Sequence, residues 1–225
     1  MLAPRSLVSH DRVVAGLPNR PRSGRAGRWS AAASADQWSI PSAVLARSCW
    51  AFALLTEACR RGPVVAATGP LGRFRGGAVS GDDLLGLAPL AGLDQLARFR
   101  RVFSATLIPL LATRAGTWAL GPTFTGSALI RADADLIAAG LLIDLKTSAK
   151  KPSLAVTDLL QVVGYALLDF DDEYHLNALG IFSARYAYLA TWELQPLLCE
   201  LAGHSVDLQV LRRRFRDLLL ACQSS

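Results

Sequence analysis

Apolar and polar positions alternate along the stretch from residue 131 to residue 148. RADADLIA (131–138) alternates, Ala139-Gly140 is suited to a two-residue turn, and LLIDLKTS (141–148) is a second apolar-rich run. Two such runs joined by two residues predict a tight β-hairpin. A turn centred on Ala139-Gly140 fixes the pairing, with Asp135 opposite Asp144 and Asp133 opposite Lys146.

The predicted hairpin has one polar and one apolar face, because successive side chains of a strand point to opposite sides. The polar face carries Arg131, Asp133, Asp135, Asp144 and Lys146. The apolar face carries Ala134, Leu136, Leu141, Ile143 and Leu145. Like charges directly opposite each other destabilise a strand pair, so the two facing aspartates predict a cation between them. Mg²⁺ binds carboxylate oxygens and suits such a position. A solvated polar face is the alternative interpretation.

Hydrophobic periodicity along the rest of the chain predicts further helices and strands. The helices are expected over 43–61, 93–115, 154–170 and 206–220, and the strands over 117–120, 179–182 and 186–192. The first of these helices is apolar on most sides, which predicts deep burial. The pattern favours an α/β or α+β fold with a mixed sheet of about four or five strands flanked by helices.

Charge separates the first part of the chain from the rest. Residues 1–75 contain 11 arginines against three acidic residues, whereas residues 76–225 contain 13 basic and 15 acidic residues. Residues 1–40 are rich in Arg, Pro, Gly and Ser and lack periodicity, so we expect a basic, disordered leader. Residues 41–225 are expected to form a single domain. Nucleic-acid binding receives only weak support from charge, since the excess lies in the leader.

Composition indicates the setting in which the protein works. No apolar run reaches the roughly 18 residues of a membrane-spanning helix, and the chain lacks a secretory h-region, so we expect a cytoplasmic protein without a membrane partner. The 21 arginines against three lysines are typical of a high-GC bacterial genome. The four cysteines contain no C-x-x-C pair, and the apolar surroundings of Cys49, Cys59 and Cys199 predict buried thiols.

The helix predicted after the hairpin places Gln161 and Tyr165 on one face, with Asp158 one turn earlier. An acid, then Asp144-Leu145-Lys146, then a helix bearing Gln161-x-x-x-Tyr165 resembles the PD-(D/E)xK nuclease superfamily, in particular its RecB-type branch. The resemblance covers roughly residues 121–192. It departs from the family pattern in two respects: Ala134 replaces the proline before Asp135, and the gap between the two acids is short.

The resemblance implies a restriction-endonuclease-like core and metal-dependent hydrolysis of phosphodiester bonds in DNA or, less readily, in RNA. The implied catalytic residues are Asp135, Asp144, Lys146, Gln161 and Tyr165. Mg²⁺ or Mn²⁺ would be held by Asp135, Asp144 and the Leu145 carbonyl. Asp133 competes for the first ligand position. Glu57 is a further candidate ligand, or it forms a surface ion pair with Arg60 or Arg61.

Nucleic-acid contacts are expected from Arg131, Gln161 and Tyr165. The closely spaced cysteine trio of some RecB-type nucleases is missing, so no iron–sulfur cluster is expected. Two alternatives to a nuclease stay open. One is a catalytically inactive nucleic-acid-binding or protein-interaction module on the same fold. The other is an unrelated α+β interaction protein whose polar hairpin face is solvated.

Overall fold

The computed structural model of the chain divides into two compact units, residues 36–101 and residues 1–35 together with 102–225. It describes residues 28–30, 42–74, 78–113, 116–148 and 155–224. The leader predicted over residues 1–40 falls largely outside the described residues. The single domain predicted over residues 41–225 stays a prediction.

The smaller unit is helical in the part of it that the structure describes. It contains α1 (Ser42–Arg61), α2 (Pro63–Thr68), a 3-10 helix (Pro70–Phe74), α3 (Gly81–Leu85) and the first half of α4 (Leu90–Ala112). A capping box begins α3: the Ser80 hydroxyl accepts the N–H of Asp83, and the Asp83 carboxylate accepts the N–H of Ser80. These two bonds satisfy donors that the first turn of a helix leaves unpaired.

Helix α1 is exposed along much of its apolar surface, so the prediction of deep burial is wrong. The large apolar side chains at exposed positions are Val44, Leu45, Phe52 and Leu55. Cys49 and Cys59 are exposed and Cys199 is half-buried, so the prediction of buried thiols is also wrong. Within the smaller unit, α1 packs against the short helices α2 and α3. Helices of five or six residues are too short to cover a helix of 20.

The larger unit contains a mixed sheet. Its strands are β1 (Arg28–Ser30), β2 (Thr117–Leu120), β3 (Leu136–Ala138), β4 (Leu141–Lys146), β5 (Ala178–Ser183) and β6 (Tyr188–Glu193), and they lie side by side in that order. β4 and β5 are parallel, and the other neighbours are antiparallel. The parallel pair requires a crossover, which α5 (Val156–Leu168) provides. The predicted mixed sheet flanked by helices is confirmed, with five strands between residues 117 and 193.

The β3–β4 hairpin has the predicted register. Ala139 and Gly140 both have positive φ, 47° and 79°, as a type I′ turn requires. Leu136 pairs with Ile143, the pairing expected for a turn at that position. β3 is shorter than the predicted first strand. Its pairing with β4 begins at Leu136, and the residues that precede Leu136 turn away from β4. Asp133 forms a bridge with Thr123, so the predicted pairing of Asp133 with Lys146 is wrong.

Both faces of the central strands are buried. Leu141, Leu142 and Ile143 are 0% exposed, which explains why β4 reads as a nearly continuous apolar run. On one face, Leu142 packs with α5 residues such as Val162 in the main core cluster. On the other face, the second half of α4 contributes Phe103, whose ring lies edge-on to Phe182 with centroids 6.4 Å apart. The predicted polar face of the hairpin is therefore polar only towards the end of β4.

Two helices complete the larger unit, α6 (Leu194–Ala202) and α7 (Leu208–Gln223). Asp207 caps α7, because its carboxylate accepts the N–H of Val210 at 2.8 Å. Helix α7 packs on α5 and thereby fixes the helix that carries the predicted Gln-x-x-x-Tyr motif. Among the described helices, none has both the length and the apolar character needed to cross a membrane.

Candidate active site

Polar side chains converge where β4 ends. Lys146 is the last residue of β4, and it pairs in parallel register with Ser183, the last residue of β5. Because α5 forms the crossover between these strands, its first turns lie at the same edge of the sheet. Ligands of α/β sheets bind outside the carboxyl ends of parallel strands. The topology therefore brings Asp144 and Lys146 to the edge at which a site is expected.

The ammonium group of Lys146 is the centre of this cluster. Its Nζ lies 2.9 Å from Asp144 Oδ2 and 3.2 Å from Asp158 Oδ1, and it donates a hydrogen bond to Gln161 Oε1 at 2.8 Å. Partial burial lowers the pKa of Lys146, but the neighbouring carboxylates of Asp144 and Asp158 outweigh it and raise the pKa above the ordinary value. Lys146 thus joins the end of β4 to α5 as a cation.

Asp158 belongs to this cluster, although the sequence analysis placed it only on the same helix face and not among the site residues. Its side chain is 30% exposed and comes from the first turn of α5. The signal was its spacing, since positions 158, 161 and 165 follow the i, i+3, i+7 pattern of one helix face. A second carboxylate beside Lys146 means that α5 supplies charge to the site as well as polar contacts.

Gln161 and Tyr165 continue the network along α5. The Gln161 side-chain amide accepts from Lys146 through Oε1 and donates through Nε2 to the Tyr165 phenol oxygen at 2.6 Å. The ring of Tyr165 stacks on Phe124, with centroids 6.1 Å apart and an angle of 20° between the rings. Phe124 in turn lies edge-on to Tyr174. The aromatic contacts fix Tyr165, and Tyr165 fixes the orientation of the Gln161 amide.

Asp135 directly precedes β3 and Asp144 lies within the adjacent strand β4, close enough for their charges to interact. Asp135 Oδ2 accepts the N–H of Leu145 at 2.7 Å. Burial raises the pKa of Asp135, and the negative charges of Asp144 and Asp133 raise it further against the lowering effect of that hydrogen bond and of Lys146. Asp144 is 4% exposed. Its buried Oδ2 lies 2.9 Å from the ammonium nitrogen of Lys146, which is the ion-pair partner of this oxygen.

The two aspartates fit a hard divalent cation, although no group of three His, Cys, Asp or Glu residues that could hold a metal occurs among the described residues. The buried Asp144 carboxylate has the Lys146 ammonium group at 2.9 Å, and a metal ion would bind its remaining lone pairs. Ionisation of Asp135 is opposed by the charge of Asp144, and a cation between them would relieve that repulsion. The remaining ligands would be the Leu145 carbonyl and waters, which Mg²⁺ retains in most protein sites.

The structure gives three other predicted residues different surroundings. Asp133 is exposed and lies in the bridge to Thr123. Arg131 is exposed in the segment that leads to β3. Glu57 lies in the smaller unit and pairs with Arg61 at 2.7 Å on the exposed surface of α1. This is the ion pair that the sequence offered as the alternative to a metal ligand.

A continuous set of contacts therefore runs from Asp144 near the end of β4 through Lys146 and Gln161 to Tyr165. Comparisons with protein-family models, with curated proteins and with solved structures return no match. The function of this cluster must be inferred from its own geometry.

A buried ion cluster around Arg212 of α7 holds α5 in place. The Arg212 side chain of α7 is 1% exposed, and its Nε donates to the Ala166 carbonyl of α5 at 3.0 Å. Its two terminal nitrogens donate to Asp169 at 3.1 Å and to Asp172 at 2.6 Å. Arginines in a helix are expected on its exposed side, and Arg213, Arg214 and Arg216 are exposed. Arg212 departs from this expectation because it is buried.

Proposed function

We propose that the larger unit is a metal-dependent nuclease with a restriction-endonuclease-like core of the RecB-type PD-(D/E)xK pattern. Its expected substrate is DNA and, less readily, RNA. The observation that carries the proposal is the position of Lys146, whose ammonium group contacts Asp144 of its own strand and both Asp158 and Gln161 of α5. The Asp-x-Lys strand and the Gln-x-x-x-Tyr helix are separate sequence motifs, and their side chains form one cluster.

The division of labour follows from the chemistry of each group. Mg²⁺ or Mn²⁺ held by Asp135, Asp144 and the Leu145 carbonyl would polarise the scissile phosphate and lower the pKa of a bound water. Lys146 would orient the attacking water and offset negative charge that develops on the phosphate. The two neighbouring carboxylates support the metal assignment, because the charge of Asp144 opposes ionisation of Asp135 and a cation between them would offset that repulsion.

Substrate positioning falls to the polar side chains at the same edge of the sheet. Gln161 is held between Lys146 and Tyr165, so a substrate strand that moved the Gln161 amide would also move the Lys146 ammonium group that is hydrogen-bonded to it. Arg131, exposed on the segment before β3, would contact a backbone phosphate. Positioning of this kind accounts for a large part of rate enhancement in phosphoryl chemistry.

The deciding experiment is cleavage of end-labelled single- and double-stranded DNA and RNA in Mg²⁺, Mn²⁺ or EDTA. Wild type is compared with Asp144→Asn and Lys146→Ala, and with Asp217→Asn, an exposed carboxylate on α7, as the matched control. We expect metal-dependent cleavage that the first two substitutions abolish and the third preserves.

The same experiment can refute the proposal. If no substrate is cut and Mn²⁺ does not raise the melting temperature of wild type, the nuclease assignment is wrong. The inactive binding module is then the better explanation of the cluster, with Lys146 holding β4 and α5 together as a structural cation.

A further inference from the structure

The turn between β5 and β6 lies next to Lys146 at the same edge of the sheet. β5 ends at Ser183, the register partner of Lys146. The N–H of Ala184, the first residue of the turn, donates to the Lys146 carbonyl at 2.9 Å. Adjacent strands lie about 4.8 Å apart, so residues 184–187 begin one strand spacing from the centre of the candidate site. The sequence analysis assigned no role to this turn.

Arg185 is held with its guanidinium beside the end of β4. Its Nε donates to the Thr147 carbonyl at 2.8 Å, and Thr147 is the residue that follows Lys146. This bond fixes the direction of a long side chain that is otherwise at the exposed surface. A guanidinium group carries five N–H donors in one plane and binds phosphate oxygens in bidentate fashion.

Tyr186 follows Arg185 in the same turn. It is 43% exposed, and its position is set by a tight turn in which its N–H donates to the Ser183 carbonyl at 3.1 Å. The next residue, Ala187, has a φ of 52°, a left-handed conformation that reverses the chain into β6. An arginine followed by an exposed tyrosine on a fixed turn combines a phosphate contact with a stacking surface.

We propose that Arg185 and Tyr186 bind single-stranded nucleic acid at the edge of the candidate site, with Arg185 on a backbone phosphate and Tyr186 stacked on an unpaired base. The inference rests on the proposed nuclease function and defines its substrate more closely. Bases stack on aromatic side chains only where they are not already stacked within a duplex. Residues 76–225 contain 13 basic and 15 acidic residues, so attraction of a strand to the site depends on where individual arginines lie rather than on net charge.

The test is binding of fluorescent oligonucleotides in Ca²⁺ at several KCl concentrations, with probe integrity checked on a gel. Arg185→Gln should weaken binding of all sequences. It should reduce the slope of log Kobs against log salt by about 0.7, the contribution of one phosphate contact to a single strand. Arg213→Gln, the same change at an exposed position of α7, should leave the slope unchanged.

Tyr186 is tested through the base rather than the backbone. Tyr186→Leu should weaken binding of single strands by about 5- to 150-fold, whereas Tyr186→Phe, which keeps the ring, should bind like wild type. The difference between Tyr186→Leu and wild type should vanish on an oligonucleotide of abasic sites and on a blunt duplex. Circular dichroism and melting temperature establish that each variant is folded.

The outcomes separate this inference from the nuclease proposal. If wild type cleaves nucleic acid but the Arg185 and Tyr186 variants bind single strands as wild type does, the inference is wrong and the nuclease stands. If binding depends on both residues but no metal supports cleavage, the nuclease proposal is wrong and the binding surface stands. An equal loss on duplex and single strand in Tyr186→Leu would also overturn the inference, and wild type that neither binds nor cleaves would refute both.

Discussion

Replacement of Arg212 by methionine tests the ion cluster that fixes α5. The guanidinium group makes three hydrogen bonds, to the Ala166 carbonyl and to the carboxylates of Asp169 and Asp172. Arg212 and Asp169 are each 1% exposed in their side chains. Methionine keeps most of the apolar stem of arginine and removes the charge and the donors. The substitution therefore isolates the electrostatic contribution from the packing.

The magnitude follows from what is left behind. Asp169 keeps two main-chain donors, the N–H groups of Glu173 and Tyr174, but its buried charge loses its counter-ion. Removing one partner of a buried pair costs about 3–5 kcal/mol. The pair with Asp172, whose side chain is 38% exposed, adds less than about 1 kcal/mol. We expect Arg212→Met to lower the free energy of unfolding by about 3–5 kcal/mol at pH 8.

The loss should depend on pH. Burial raises the pKa of Asp169, and the charge of Arg212 lowers it in part, so removal of Arg212 raises that pKa further. A carboxyl with a raised pKa in the folded state favours folding when protonated. That contribution is lost as pH rises from its ordinary pKa of about 4 through the folded value. The deficit of Arg212→Met should therefore be smaller at pH 4 than at pH 8.

Asp172 acts in the same direction. Burial opposes the shift, but the hydrogen bond and charge of Arg212, together with His175, lower the pKa of Asp172. A lowered pKa stabilises the fold above the ordinary value, and this stabilisation is lost as pH falls through the folded pKa. Without Arg212 the pKa of Asp172 is lowered less, so the variant again differs most from wild type at neutral and alkaline pH.

Urea denaturation of wild type and Arg212→Met at pH 4 and pH 8 measures both effects. Arg213→Met, the same change at an exposed site, should stay within about 0.5 kcal/mol of wild type. Adding Asp169→Asn to Arg212→Met should recover part of the loss, because the uncompensated charge is removed. A deficit below about 1 kcal/mol, or one that is equal at the two pH values, would show that the buried ions do not hold α7 on α5.

Three further predictions concern the site and the hairpin. Asp158→Asn should slow single-turnover cleavage about five-fold, the equivalent of about 1 kcal/mol for a partly exposed ion pair with Lys146, and an unchanged rate would place Asp158 outside the catalytic unit. Glu57→Gln should leave cleavage and its Mn²⁺ dependence unaltered, since its carboxylate pairs with Arg61; a folded but inactive variant would return Glu57 to the metal ligands. Gly140→Ala should lower the free energy of unfolding by about 2–4 kcal/mol. The φ of Gly140 is 79°, and an added Cβ would lie 2.8 Å from the main-chain oxygen of His175. A melting temperature equal to that of wild type would contradict this prediction.

The fold elements with strong local signals were predictable from the sequence. The hairpin register follows from Ala139-Gly140, because a two-residue turn leaves little freedom in pairing. Helix α6 was missed, since its nine residues directly follow β6 without an intervening loop. The full length of β3 was overestimated because alternation in residues 131–135 reflects a loop that pairs with the segment after β2. The alternation of apolar and polar residues alone does not distinguish a strand from such a loop.

The candidate site was predictable in part. Spacing within one helix or one hairpin placed Gln161 beside Tyr165 and Asp135 beside Asp144. Contacts that depend on how α5 lies across β4, such as Asp158 with Lys146, require the crossover geometry. The burial of Arg212 depends on Asp172 and Asp169, which lie 40 and 43 residues before it in the sequence. A run of arginines in a helix gives no local sign that one of them points inward.

The position of Asp135 next to Asp144 has a consequence for protein engineering. Desolvation and the charge of Asp144 both oppose ionisation of Asp135, whereas an asparagine would carry no charge and would keep an oxygen that accepts the N–H of Leu145. A search for sequences that maximise thermal stability would therefore favour a neutral residue at position 135. Redesign guided by melting temperature alone would select against a carboxylate on which the proposed metal chemistry depends.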